Sequence, residues 1–148
     1  MSLQYKIVPV TAFEQNCSIL WCDATNEAAV VDPGGDIPKI LDVVKQQGLT
    51  LKKIIMTHAH IDHAGATAEL AKTLSLPIEG PHKEDQFWID LLPQQSQMFN
   101  FPATQSFTPD RWLEQDETVA IGNETLWVKF CPGHTPGHVV FYHAESKL

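Results

Sequence analysis

His58-Ala59-His60-Ile61-Asp62-His63 is the stretch that decides how this chain folds and what it binds. Three imidazoles and a carboxylate occupy six positions. A second cluster, Pro132-Gly133-His134-Thr135-Pro136-Gly137-His138, follows well downstream. Imidazole and carboxylate are the side chains that hold Zn²⁺ and similar divalent ions. The donors are too dense for one ion to use them all, which points to two metals close together, a clamp suited to activating water for hydrolysis. The chain has 7 histidines in 148 residues, so three within one hexapeptide are not scatter. Any one of them alone would be read as an ordinary surface or core histidine.

The neighbouring residues place the motif. Residues 53–57 read as a short buried strand that runs straight into His58. A helix is expected from about Gly65 through Ala66, Ala68, Leu70, Ala71 and Leu74, and Pro77 ends it. The hexapeptide therefore sits on a turn at the carboxyl end of a sheet, where open α/β sheets place their sites. Small Ala59 and Ala64-Gly65 permit a tight loop there.

Upstream, residues 5–10 and 17–22 read as two strands joined by a polar turn through Glu14-Gln15-Asn16. Residues 28–32 form a third, apolar strand that ends at the breaker Asp32-Pro33-Gly34-Gly35. Asp36 reads as an N-cap. Ile37, Ile40, Leu41 and Val44 follow at helical spacing, and Gly48 closes that helix. Downstream, 77–80 is a short strand and 82–92 looks helical. Residues 93–109 are irregular and carry Phe99, Phe101 and Phe107, either as a pocket lining or as aromatics packed on the core. Residues 117–121 and 125–131 alternate apolar with polar around Gly122-Asn123, a hairpin signal. Residues 139–143 start another strand.

Composition bounds the rest. The length fits one domain, residues 1–148, and 43% apolar residues suffice for a sizeable core. A net charge of −8 and only 10 basic residues argue against a nucleic-acid partner. No apolar run approaches the length that spans a bilayer, so no membrane partner is expected. The N-terminus lacks the apolar core of a signal peptide. The 3 cysteines, Cys17, Cys22 and Cys131, contain no Cys-x-x-Cys pair and fit free thiols in a reducing, cytoplasmic setting. Cys131 reads as a buried strand cysteine before it reads as a ligand.

These residues resemble the metallo-β-lactamase superfamily, and within it the small glyoxalase II-like (hydroxyacylglutathione hydrolase-like) enzymes. The resemblance covers the paired N-terminal strands, Val31-Asp32-Pro33-Gly34, the stretch from Thr57 to Gly65, and Cys131 to His138. It implies an α/β (α+β) fold, the αββα sandwich, of which this chain carries the first half plus the start of the second half. It further implies that His58, His60 and His134 hold the first metal, and that Asp62 and His63 contribute to the second. Asp32 would support the metal loop without ligating, and His138 would be supporting or structural. His82 and His143 match no such role and read as ordinary histidines. Family members continue with an aspartate that bridges both metals and a later Gly-His loop. Neither occurs within these 148 residues, so the C-terminal part is expected to be missing.

The expected chemistry is attack on an acyl carbonyl by metal-bound hydroxide, with Asp62 as catalytic residue orienting the hydroxide and taking its proton. A thiolate leaving group needs little acid assistance, which fits a small-molecule thioester better than an amide. The resemblance thus implies a metal-dependent hydrolase, a thioesterase acting on acyl-glutathione thioesters with Zn²⁺, two per active site in the family, and with iron or manganese as alternatives. Competing readings are a mononuclear-iron persulfide dioxygenase of the same fold and a catalytically incomplete metal-binding fragment.

Overall fold

The computed structural model describes residues 3–10, 15–35, 37–58, 67–94, 107–122, 124–130 and 139–142. Leu3–Val10 (β1) and Gln15–Cys22 (β2) pair antiparallel, from Leu3 opposite Cys22 to Val10 opposite Gln15. Gln15 and Asn16, expected in the turn, belong to β2 because Val10 and Pro9 pair with them. Pro9 is tolerated because β1 is an edge strand. Glu27–Val31 (β3) lies antiparallel to β2 and parallel to Thr50–Ile55 (β4), which in turn pairs parallel with Ile78–Glu79 (β5). The spatial order is β1-β2-β3-β4-β5. The strand read at 53–57 begins and ends earlier, because Thr50 already pairs with Glu27.

Ile37–Gln46 (α1) connects β3 to β4 and presents Ile40 and Val43 to the sheet. Gly48 closes it as the sequence suggests. At φ +65° it takes the left-handed conformation that glycine adopts without strain. Its N–H bonds to Lys45 C=O at 3.1 Å, and Leu49 N–H bonds to Val44 C=O at 3.0 Å. Those two bonds are the Schellman stop. Asp36, the expected N-cap, lies outside the described residues. Thr67–Leu74 (α2) buries Thr67 and Leu70. The segment read as one helix over 82–92 opens with a 3-10 turn, Lys83–Asp85, before Gln86–Asp90 (α3).

A second sheet is antiparallel: Thr118–Ile121 (β6), Glu124–Phe130 (β7) and Val139–Tyr142 (β8). Period-two alternation sorts the first sheet's residues between two cores. Cys17, Ile19, Ala28, Val30 and Ile54 face the helices and meet Ile40, Val43 and Leu70. Leu20, Ala29 and Ile55 face the other way and meet Val119, Ile121, Leu126, Val128 and Val139 of the second sheet. The result is helices, sheet, sheet: three stacked layers held by two apolar cores. Each fully buried aliphatic side chain contributes roughly 1.5–3 kcal/mol.

The first sheet's far edge is fixed by charge. Glu79, nearly buried, accepts from Lys53 at 2.6 Å and Arg111 at 3.0 Å, and Arg111 also reaches Glu117 at 3.6 Å. This ties β4 and β5 to the segment that leads into the second sheet. Phe107, half-buried, packs on the helix-side core, so for this residue the core-packing reading holds. Phe99 and Phe101 lie outside the described residues. Among the described residues no helix is long and apolar enough to cross a membrane.

Candidate metal centre

Three neighbouring parallel strands end along one edge of the first sheet. β3 delivers Asp32, β4 delivers Met56-Thr57-His58, and β5 delivers Gly80-Pro81-His82. Backbone bonds continue the ladder past the strands: Asp32 N–H to Ile55 C=O at 2.9 Å, and Met56 N–H to Glu79 C=O at 3.0 Å. Gly80 is required at its place. Its φ is +94°, and a Cβ there would stand 2.5 Å from the Met56 carbonyl oxygen.

Asp32 turns out of β3 with φ 55° and is 4% exposed. Its carboxylate grips Thr57 twice. Thr57 N–H donates to Oδ1 at 2.8 Å, and the Thr57 hydroxyl donates to Oδ2 at 2.5 Å. The same hydroxyl oxygen lies 2.9 Å from His58 Nδ1. A hydroxyl has one proton, and an ionised carboxylate only accepts. The proton is therefore committed to Asp32, so the hydroxyl oxygen accepts from His58 Nδ1–H. Nδ1 carries the ring proton and Nε2 keeps its lone pair. His58 is 3% exposed, so water does not compete with this assignment.

The relay also reaches Cys17. Burial, and then the Asp32 charge, push its thiol far above the usual range, so Cys17 is a neutral core residue and no nucleophile.

A metal-ligating histidine commonly donates its other nitrogen to a fixed acceptor, which sets the tautomer and orients the ring. His58 meets that requirement through Thr57 and Asp32, so it fits a divalent ion at Nε2. Of the other expected site residues, His60, Asp62, His63, His134 and His138 lie outside the described residues, as do Cys131 and His143. Among the described residues no group of three or more His, Cys, Asp or Glu side chains converges on one point. Thr57 was assigned no role from sequence. Its role follows from the register: Val31 pairs with Ile55 in parallel, which brings the residues just past the two strand ends together.

The described residues that flank the second motif lie at the same edge. Phe130, the last residue of β7, pairs with Val139, the first of β8. Val139 N–H donates to Thr57 C=O at 2.8 Å. The two residues that bracket 131–138 are thus paired with each other, and Val139 is bonded to Thr57.

A two-layer sheet core flanked by helices, with a histidine relay at the carboxyl edge of parallel strands, is the framework of a known class of metal-dependent enzymes. Residues 10–148 match the family model described as the metallo-beta-lactamase superfamily, and the chain belongs to that family. It is 39% identical over 147 residues to "Hydroxyacylglutathione hydrolase GloC" of Haemophilus influenzae, covering 99% of this chain and 69% of that protein. It spans about half the length of several other hydroxyacylglutathione hydrolases that it matches. Among solved structures it is similar to BLEG-1 B3 metallo-beta-lactamase, with TM-score 0.83 and 32% identity over 97% of this chain and 68% of that one. It is equally similar to TTHA1623 in a di-iron-bound form, with TM-score 0.83 and 29% identity over 95% of this chain and 68% of that one. The metallo-β-lactamase fold expected from the sequence is borne out by this family match and these neighbours.

Proposed function

We propose that this chain forms the metal-binding framework of a hydrolase that cleaves acyl-glutathione thioesters. The observation that carries the reading is the relay Asp32–Thr57–His58, which prepares one nitrogen of a buried imidazole as a ligand. The name of the Haemophilus influenzae relative supports the substrate class. His58, His60 and His134 hold a first divalent ion, and Asp62 and His63 contribute to a second. Bound zinc supplies a Lewis acid and water of lowered pKa; iron is the alternative metal. Asp62 accepts the proton of the attacking water and releases it to solvent once the thiolate has left. Asp32 and Thr57 keep His58 in the ligating tautomer throughout. A thiolate leaves more readily than an amine anion, so thioester cleavage needs little acid assistance.

The test is hydrolysis of S-lactoylglutathione by the zinc-loaded protein that carries this sequence, beside its Asp62→Asn variant. Turnover that collapses in the variant while first-site zinc remains supports the proposal. Absence of turnover on any acyl-glutathione, or full turnover in Asp62→Asn, overturns it.

A further inference from the structure

His82 reads in the sequence as an ordinary histidine, and the structure gives it an unusual place. It follows β5 by three residues, at the same edge as Asp32 and His58. The turn that carries it is rigid. Gly80 N–H donates to Arg111 C=O at 2.7 Å, and Leu113 N–H donates to Pro81 C=O at 3.1 Å. The ring is held as well: its Nδ1 accepts Glu84 N–H at 3.2 Å. With that edge engaged, the ring lies flat against Phe130, centroid to centroid 4.2 Å, with 22° between planes.

Phe130 is the residue through which this contact acts. It is the last residue before the 131–138 segment, and it pairs with Val139, the first residue after it. Val139 is tied to Thr57 by its N–H. Phe130 N–H is tied to Gln115 Oε1 at 2.6 Å. The base of the segment is thus pinned on one side by the metal-loop strand and on the other by His82.

We propose that His82 is a positioning residue: by stacking on Phe130 it fixes where the 131–138 segment leaves the second sheet, and so where that segment can present a ligand to the ion held by His58. This rests on the assignment of His134 as a ligand made above. The role needs a flat ring at position 82. The hydrogen bond to Glu84 only orients it, so the ring and the cap are separable by substitution.

The experiment is a competitive Zn²⁺ titration of the protein and a set of variants, with urea unfolding of each metal-free form. His82→Ala removes ring and cap. His82→Asn keeps an acceptor for Glu84 N–H without the ring. His82→Phe keeps a ring without the acceptor. Loss of a supporting partner typically weakens metal binding by about tenfold or more. His82→Ala and His82→Asn are each expected to lose about tenfold in zinc affinity, whereas His82→Phe stays close to the unsubstituted protein. Phe130→Leu is expected to show the same loss, and combining it with His82→Ala should add little, since both remove one contact. If His82→Ala does not fold, His82→Asn against His82→Phe makes the same comparison. Wild-type affinity in His82→Asn, or a loss in His82→Phe equal to that in His82→Ala, overturns the proposal. A parallel His134→Ala protein separates the two levels. Unchanged affinity there overturns the ligand assignment and the positioning role together. Loss there with wild-type affinity in His82→Ala overturns the positioning role alone.

Discussion

Replacing Thr57 by Val exchanges one hydroxyl for a methyl at nearly constant shape, and it cuts the relay in two places. The Asp32 carboxylate loses its 2.5 Å hydroxyl bond, and His58 Nδ1–H loses the acceptor 2.9 Å away. The backbone bond from Thr57 N–H to Asp32 Oδ1 survives. A hydrogen bond to a charged group contributes about 1.5–3 kcal/mol, and a buried donor left unpaired costs about 1–3 kcal/mol. Both residues are buried, so water restores neither bond. The two losses share one hydroxyl and do not simply add. The expected cost to the metal-free fold is about 2–4 kcal/mol, a large part of a stability of about 5–15 kcal/mol. Zinc affinity is expected to fall about ten- to a hundredfold, because the His58 ring is no longer held in its ligating tautomer. Thr57→Ser keeps the hydroxyl and loses only a methyl, about 0.8 kcal/mol. Urea unfolding of the metal-free proteins and a chelator-competition titration measure both quantities. A Thr57→Val protein within about 0.5 kcal/mol of the parent, with unchanged zinc affinity, would refute the relay.

Asp32→Asn tests its proton logic. If the amide oxygen keeps the Thr57 N–H, the amide nitrogen donates to the Thr57 hydroxyl, which then donates to His58 Nδ1 and leaves the ring proton on Nε2. Nitrogen-15 NMR of His58 in the metal-free variant should show the Nε2-protonated form, with zinc affinity down about ten- to a hundredfold; an Nδ1 proton in both proteins would contradict the relay. Cys17 gives a pH dependence. Its folded thiol stays protonated well above the unfolded value of about 8.5. The unfolded chain therefore binds fewer protons than the folded one above that pH. Stability is full below about pH 8.5 and falls by about 1.4 kcal/mol per unit above it. Urea midpoints for the parent and Cys17→Ala, taken from pH 8 to 10.5, should converge as pH rises; parallel curves would show that the thiol ionises in the folded state.

The elements were legible where a local rule governs them. Gly48 stops α1 with the two bonds its position suggests, and Gly122 with φ +56° turns the β6–β7 hairpin. The His58 motif emerges from a parallel strand because an apolar run ends there. Boundaries were less legible where pairing decides them: Gln15 and Asn16 are polar and turn-like, yet their partners in β1 hold them in the ladder. The residues that complete the site were the least visible. Thr57 matters because Val31 and Ile55, 24 positions apart in the chain, are in register, and His82 matters because the turn after β5 brings its ring against Phe130 at the end of β7. Neither contact has a spacing rule in one sequence. Both are consequences of topology.

The central claim is that His58 and its companion histidines hold a divalent ion. The direct measurement is X-ray absorption at the zinc edge on the zinc-loaded protein and on its His58→Ala variant. The expected result is a nitrogen-dominated shell at about 2.0–2.1 Å with the outer-shell pattern of imidazole, reduced together with the zinc content in the variant. Zinc that washes away from the parent protein, or a shell without imidazole that is the same in both proteins, would contradict it.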